Sequence, residues 1–92
     1  MIRMAQYGTK HGHASGKLQS MLTNPKVEVV GLYEPDAERR REVEGGDGPY
    51  GQVRFFDSAE EMLGDDSIVA ISSEGLNSES LDQTEQIVQA GK

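Results

Sequence analysis

Residues 2–36 read IRMAQYGTKHGHASGKLQSMLTNPKVEVVGLYEPD, and the order of apolar and turn residues in them spells a strand, a glycine loop, a helix and a second strand. Ile2 to Tyr7 is a short run, apolar at Ile2, Met4, Ala5 and Tyr7, that ends at Gly8. From Gly8 to Gly16 the chain is small and polar. Ala14, Leu18, Met21 and Leu22 then recur at helical spacing, which predicts a helix beginning near His13. Asn24-Pro25 stops it, because the residue before a proline is pushed out of the α region and proline cannot continue the hydrogen-bond ladder. Val27, Val29, Val30, Leu32 and Tyr33 follow as a strand. Their nearly continuous apolar character suits parallel pairing with both faces covered. The strand ends at Glu34.

The alternation continues downstream. Pro35-Asp36 opens a charged helix that runs to about Val43, and Gly45, Gly46, Gly48 and Pro49 break it to give the flexible stretch of the sequence. Val53, Phe55 and Phe56 predict a third strand. Ser58, followed three residues later by Glu61, is a capping box for a short helix over Ala59, Met62 and Leu63. Asp65-Asp66 turns the chain into a fourth strand, Ile68 to Ile71. After the polar loop Ser72 to Asn77, a last helix carries Leu81, Thr84, Ile87 and Val88 on one face, with Gly91 where a C-cap glycine belongs. Strands that alternate with helices imply βαβ units, with parallel pairing and right-handed crossovers. The predicted fold is therefore α/β: a Rossmann-like open parallel sheet, ordered 3-2-1-4, flanked by helices and incomplete at its C-terminal side. Residues 1–92 are read as one partial dinucleotide-binding domain with no substrate domain.

Such a unit binds a dinucleotide when it supplies three things: small residues that admit a pyrophosphate, a helix N-terminus aimed at it, and an acid for the ribose. Gly8, Gly12 and Gly16 supply the first, and the helix near His13 supplies the second. Glu34, at the end of the second strand, supplies the third, and its charge favours NAD over NADP because a 2′-phosphate would face a carboxylate. The expected cofactor-contacting residues are Gly8, Thr9, Lys10, His11, Gly12, His13, Glu34, Ser72 and Ser73. Lys10 stands where the usual G-x-G-x-x-G spacing has its second glycine, so it narrows the loop but reaches towards a phosphate oxygen. Arg39, Arg40 and Arg41 are interleaved with Glu38, Glu42 and Glu44. That pattern reads as a solvated helix face, with a 2′-phosphate clamp as the alternative. His11 and His13 lack the further ligands a zinc site wants, so no metal is expected, and no residue is singled out as catalytic.

Composition bounds the partners. The chain has 92 residues, a net charge of -7 and no cysteine. Disulfides and thiolate metal sites are thereby excluded, and with no signal-peptide pattern and no long apolar run the cytoplasm is the expected compartment. The negative charge opposes nucleic-acid binding, and no membrane partner is expected. Two further classes stay open on the residues alone: a non-catalytic nucleotide-sensing module, and a protein-interaction domain that forms a homodimer through its exposed fourth strand.

Five segments, IRMAQYGTKHGHASGKL from Ile2, NPKVEVVGLYEPDAERR, FFDSAEEML, SIVAIS and QIVQAGK, together resemble the N-terminal domain of the Gfo/Idh/MocA oxidoreductases, the family of glucose-fructose oxidoreductase and inositol dehydrogenase. The resemblance implies an NAD(P)-dependent sugar or polyol dehydrogenase as parent, with this stretch supplying cofactor binding only. In that family a catalytic lysine lies in an E-K-P motif shortly after AGK, before a large substrate domain. Lys92 corresponds to the lysine of AGK and not to the catalytic one. Where the family has a proline and often a histidine after the fourth strand, this chain has Ser73, Glu74 and Ser78, which brings negative charge to the nicotinamide side.

Overall fold

Successive apolar residues of the second strand serve opposite faces of the sheet. Val29 and Leu32 pack with Leu18, Val43, Tyr50 and Phe55 on one side, while Val30 and Tyr33 pack with Ala5, Tyr7, Phe56, Met62, Ile68 and Ile87 on the other. A strand buried on both faces is the reason the sequence there is apolar without alternation. In the computed structural model the described residues are all but Asp47 and Leu76, and the side chains of Asn77, Ser78, Glu79 and Ser80 are also left undescribed.

The elements, in chain order, are β1 (Ile2–Tyr7), α1 (Ala14–Thr23), β2 (Val27–Tyr33), α2 (Ala37–Val43), a 3₁₀ turn (Pro49–Gln52), α3 (Ala59–Leu63), β3 (Ala70–Ser73) and α4 (Asn77–Gln89). The sheet is parallel and three-stranded, ordered β2-β1-β3, with β1 in the centre. Its register runs from Ile2 beside Val27 to Tyr7 beside Tyr33, with a bulge between Met4 and Ala5, and on the other side from Met4 beside Ala70 to Tyr7 beside Ser73.

The expected four-strand order 3-2-1-4 is corrected at one edge. The segment Val53–Phe56 lies beside β2, as expected, but it makes a single parallel bridge between Leu32 and Phe55 rather than a strand. Leu32 N–H donates to the Arg54 carbonyl at 2.9 Å, and Phe56 N–H donates to the Leu32 carbonyl at 2.8 Å. The ladder stops there because the chain enters from the 3₁₀ turn and leaves almost at once into the Ser58 cap of α3. Gly31 admits even this much. A Cβ on it would stand 2.8 Å from both the Arg54 carbonyl oxygen and the Phe56 ring. The glycine-rich stretch also holds more order than expected, since its 3₁₀ turn buries Tyr50. The last strand begins two residues later than expected, at Ala70. Ile68 is spent on the core, and Val69 is exposed with its N–H donating to the Arg3 carbonyl.

The N-cap side chains act as expected, but the capping box closes on one side only, since the Glu61 carboxylate pairs with Arg54. Asp36 caps α2, accepting from the amides of Glu38 and Arg39 at 3.0 and 3.3 Å, and Ser58 caps α3, accepting from Glu61 N–H at 3.1 Å. Lys92 folds back at the end of α4, and its ammonium donates to the carbonyls of Asp65 and Ile68 at 2.8 and 2.5 Å. This lysine therefore ties α4 to the turn that feeds β3.

Candidate functional site

Because β1 is central, the chain leaves it to one side for β2 and reaches β3 on the other, so the C-terminal end of β1 is the point where the strand order reverses. Open α/β sheets place their ligands in the crevice at such a point. The loop Gly8–His13 emerges there, flanked by Glu34 from the end of β2 and by Glu74 from the end of β3.

Gly8 turns the chain with φ of +93°, and a Cβ at this position would come within 2.9 Å of the Gly75 amide nitrogen and 3.1 Å of the Glu74 carbonyl carbon. Both obstacles are backbone. The turn therefore requires glycine for its conformation and for close packing against the segment after β3. Hydrogen bonds fix the same approach: Gly8 N–H donates to Tyr33 O at 2.8 Å, Glu74 N–H to Tyr7 O at 2.7 Å, and His11 N–H to Glu74 O at 2.9 Å.

Gly12 and Gly16 behave differently. Both are exposed, and a methyl group on either would meet no atom within 4 Å, so neither serves close helix-on-sheet packing. The space above them is open. His13 is the N-cap residue of α1 and makes no side-chain cap, and among the described residues the amides of Gly12, Ser15 and Gly16 find no protein acceptor. These are the orphan donors of a helix start, which carry its partial positive charge.

Glu34 is 3% exposed and its carboxylate is already a structural acceptor. Oε1 receives Thr9 N–H at 2.8 Å and the Thr9 hydroxyl at 2.6 Å, and Oε2 receives Asp36 N–H at 3.0 Å. A carboxylate offers about four lone-pair sites, so roughly one remains, on Oε2. Thr9 is buried in turn, and Arg39 clasps it from outside, donating from Nε to the Thr9 hydroxyl at 3.0 Å and from Nη2 to the Thr9 carbonyl at 3.3 Å. Arg39 thus splits its guanidinium between Thr9 and Glu42 on the helix face, the latter at 3.3 Å from Nη1. Arg40 pairs with Glu44 and Asp57, in keeping with the reading of a charged helix face. Lys10 reaches Asp36 at 2.7 Å, and this bond holds the Asp36 carboxyl below its ordinary pKa, helped by the Arg39 and Glu38 amides.

On the opposite flank, Glu74 is 1% exposed. Its Oε1 accepts from the Ser72 hydroxyl at 2.8 Å and from the Lys17 ammonium at 3.0 Å. Nδ1 of His11 stands 3.9 Å from Oε2 and accepts from His13 N–H at 3.1 Å. Ser73 turns to the other face of the sheet and donates to Gln83 Oε1 at 3.4 Å. Of the expected contact residues, Gly8, Thr9, Lys10, His11, Gly12, His13 and Glu34 gather around one loop. The Ser72 hydroxyl is engaged by Glu74 and that of Ser73 by α4. The expectation for Ser78 lies outside the described residues. Beneath the loop, the buried Gln6 amide donates to Gly8 O at 3.0 Å, and its Oε1 finds no partner among the described residues.

A cavity of ≈ 640 Å³ opens beside α1, lined among others by Met4, His13, Gly16, Lys17 and Ser72. No helix among the described residues is long and apolar enough to cross a membrane.

No protein-family model and no curated protein sequence matches the chain. Solved structures do, over 100% of its length. A protein named as an oxidoreductase from Erwinia carotovora atroseptica SCRI1043 superposes with a TM-score of 0.79 at 26% identity. A protein named as an oxidoreductase, yhhX, gives 0.79 at 17% identity, and a protein named as a myo-inositol dehydrogenase from Sinorhizobium meliloti 1021 gives 0.76 at 15%. The structural neighbours are named as oxidoreductases, consistent with the resemblance carried by the sequence segments, and the chain spans 26% of each of their lengths.

Proposed function

We propose that this chain is the nucleotide-binding portion of a nicotinamide-dependent oxidoreductase of the Gfo/Idh/MocA type, and that it holds the diphosphate of NAD on the Gly8–His13 loop. The observation that carries this is the coincidence of three unpaired amides at the start of α1 with open space over Gly12 and Gly16, all at the point where the strand order reverses. The donors suit an anion, and the space suits a bulky one.

The flank at Glu34 then receives the ribose. The remaining acceptor site on Glu34 Oε2 takes one ribose hydroxyl, and its charge disfavours a 2′-phosphate, so NAD is preferred over NADP. The Thr9 and Arg39 clasp keeps that carboxylate in place. The bound dinucleotide supplies hydride transfer, and the loop with its flanking residues binds and orients it. A sugar-like or polyol substrate, and the base that serves it, belong to the whole oxidoreductase.

Calorimetric titration of the 92-residue chain tests the reading. NAD is expected to bind weakly and NADP more weakly still, with Glu34→Gln narrowing the difference. Tight NADP binding with no response to NAD would overturn the assignment of Glu34, and no response to either nucleotide would overturn the reading as a whole.

A further inference from the structure

Lys17 is a cation placed to meet a diphosphate, and it is already paired. It stands in the first turn of α1, beside the unpaired Ser15 and Gly16 amides, and it lines the open cavity. Its side chain is 58% exposed, yet its ammonium is drawn 3.0 Å from Oε1 of Glu74, a carboxylate that is itself buried. Glu74 cannot move away cheaply. The Ser72 hydroxyl holds the same oxygen, and the Glu74 backbone N–H and carbonyl are spent on Tyr7 at the end of β1 and on His11 of the loop.

Resting on the diphosphate reading, we infer that Glu74 sets the anion affinity of the loop: it is an internal counter-anion that holds Lys17, and a ligand phosphate must compete with it for that ammonium. The positioning residue is Glu74, and the group it withholds is Lys17. Two effects act in one direction. The fixed carboxylate repels a diphosphate, and it neutralises Lys17. The second weakens with added salt, because Lys17 is more than half in solvent.

Glu74→Gln tests this with little disturbance, since the amide oxygen still accepts from Ser72 and only the charge is removed. Calorimetry with inorganic pyrophosphate and with NAD, at low ionic strength, is expected to show about tenfold tighter binding to Glu74→Gln than to the unaltered chain, equivalent to about 1.4 kcal/mol. In a Lys17→Gln background the same substitution should gain less than about threefold, equivalent to about 0.6 kcal/mol. Glu74→Asp, which keeps the charge, should gain nothing, and circular dichroism melts verify that each variant is folded.

Equal affinity of Glu74→Gln and the unaltered chain would overturn the inference while leaving the diphosphate reading intact. So would a gain that persists in full without Lys17, or one that Glu74→Asp reproduces. Absence of binding by every variant, to both probes, would overturn the two together.

Discussion

Two buried carboxylates flank one loop and are satisfied in opposite ways. Glu34, at the end of β2, is held by neutral donors: the Thr9 amide and hydroxyl and the Asp36 amide. Glu74, at the end of β3, is held by a hydroxyl and an ammonium. Neutral dipoles leave the charge of Glu34 in place, so that side repels a phosphate and suits hydroxyl groups. An ammonium cancels the charge of Glu74 at close range, but only while no stronger anion arrives. The first flank is built to discriminate, the second to compete.

The largest effect expected from disturbing this arrangement is at Gly8, which packs directly on the backbone after β3. Gly8→Val imposes a left-handed backbone on a β-branched residue and drives its Cβ against the backbone of Gly75, 2.9 Å away. Strain of that kind, with overpacking added, is expected to cost about 3 kcal/mol or more. Gly12→Ala is the control. Its methyl meets nothing within 4 Å, and its effect should stay within about 0.5 kcal/mol. Urea melts of the two variants measure the contrast, and comparable losses would show that the loop is not pinned at Gly8.

Next in size is the discriminating flank. Glu34→Ala strips three donors of their acceptor at once, and leaving the buried Thr9 amide and hydroxyl unpaired is expected to cost about 2 kcal/mol. Arg39 has nothing to clasp if Thr9 loosens. Amide exchange at Thr9 should accelerate in Glu34→Ala more than at Tyr7, two residues earlier in β1. A uniform acceleration would mean that Glu34 supports the whole domain and not the loop.

How much of this was legible follows from how far each interaction reaches along the chain. β1, α1, β2 and the caps at Asp36 and Ser58 depend on neighbours within a few residues, and their signals are local spacing and side-chain chemistry. The third strand was not legible as a single bridge, because Val53, Phe55 and Phe56 have the apolar content of a strand. What limits them is the 3₁₀ turn ahead of them and the Ser58 cap behind them. The start of β3 was missed for a similar reason: Ile68 and Val69 extend the apolar run, and nothing in that run marks where the ladder with β1 begins. In the site, the loop and Glu34 could be found from the order of elements. Lys17, Arg39 and Gln6 could not, since their partners lie on other elements and helical spacing alone puts the first two in solvent.

The smallest effect expected is electrostatic and sits on the discriminating flank. Lys10 bonded to Asp36 lowers the carboxyl pKa of Asp36 in the folded chain, and the Ser67 hydroxyl and amide do the same to Asp65 far from the loop. A depressed folded pKa contributes stability that is present in full above the unfolded value, about 3.9, and is lost as pH falls through the folded value. Between neutrality and about pH 5 neither carboxylate should make stability vary; below about pH 4 both should. Asp36→Asn keeps a side-chain oxygen for the cap of α2 but removes the ion pair. Its urea midpoint should therefore lie below that of the unaltered chain at pH 7 and converge with it in strong acid, where Asp36 is protonated in both states. A gap that stays constant across that range would place the effect of the substitution in the cap, and would mean that Lys10 can turn from Asp36 to a phosphate at no cost to the fold.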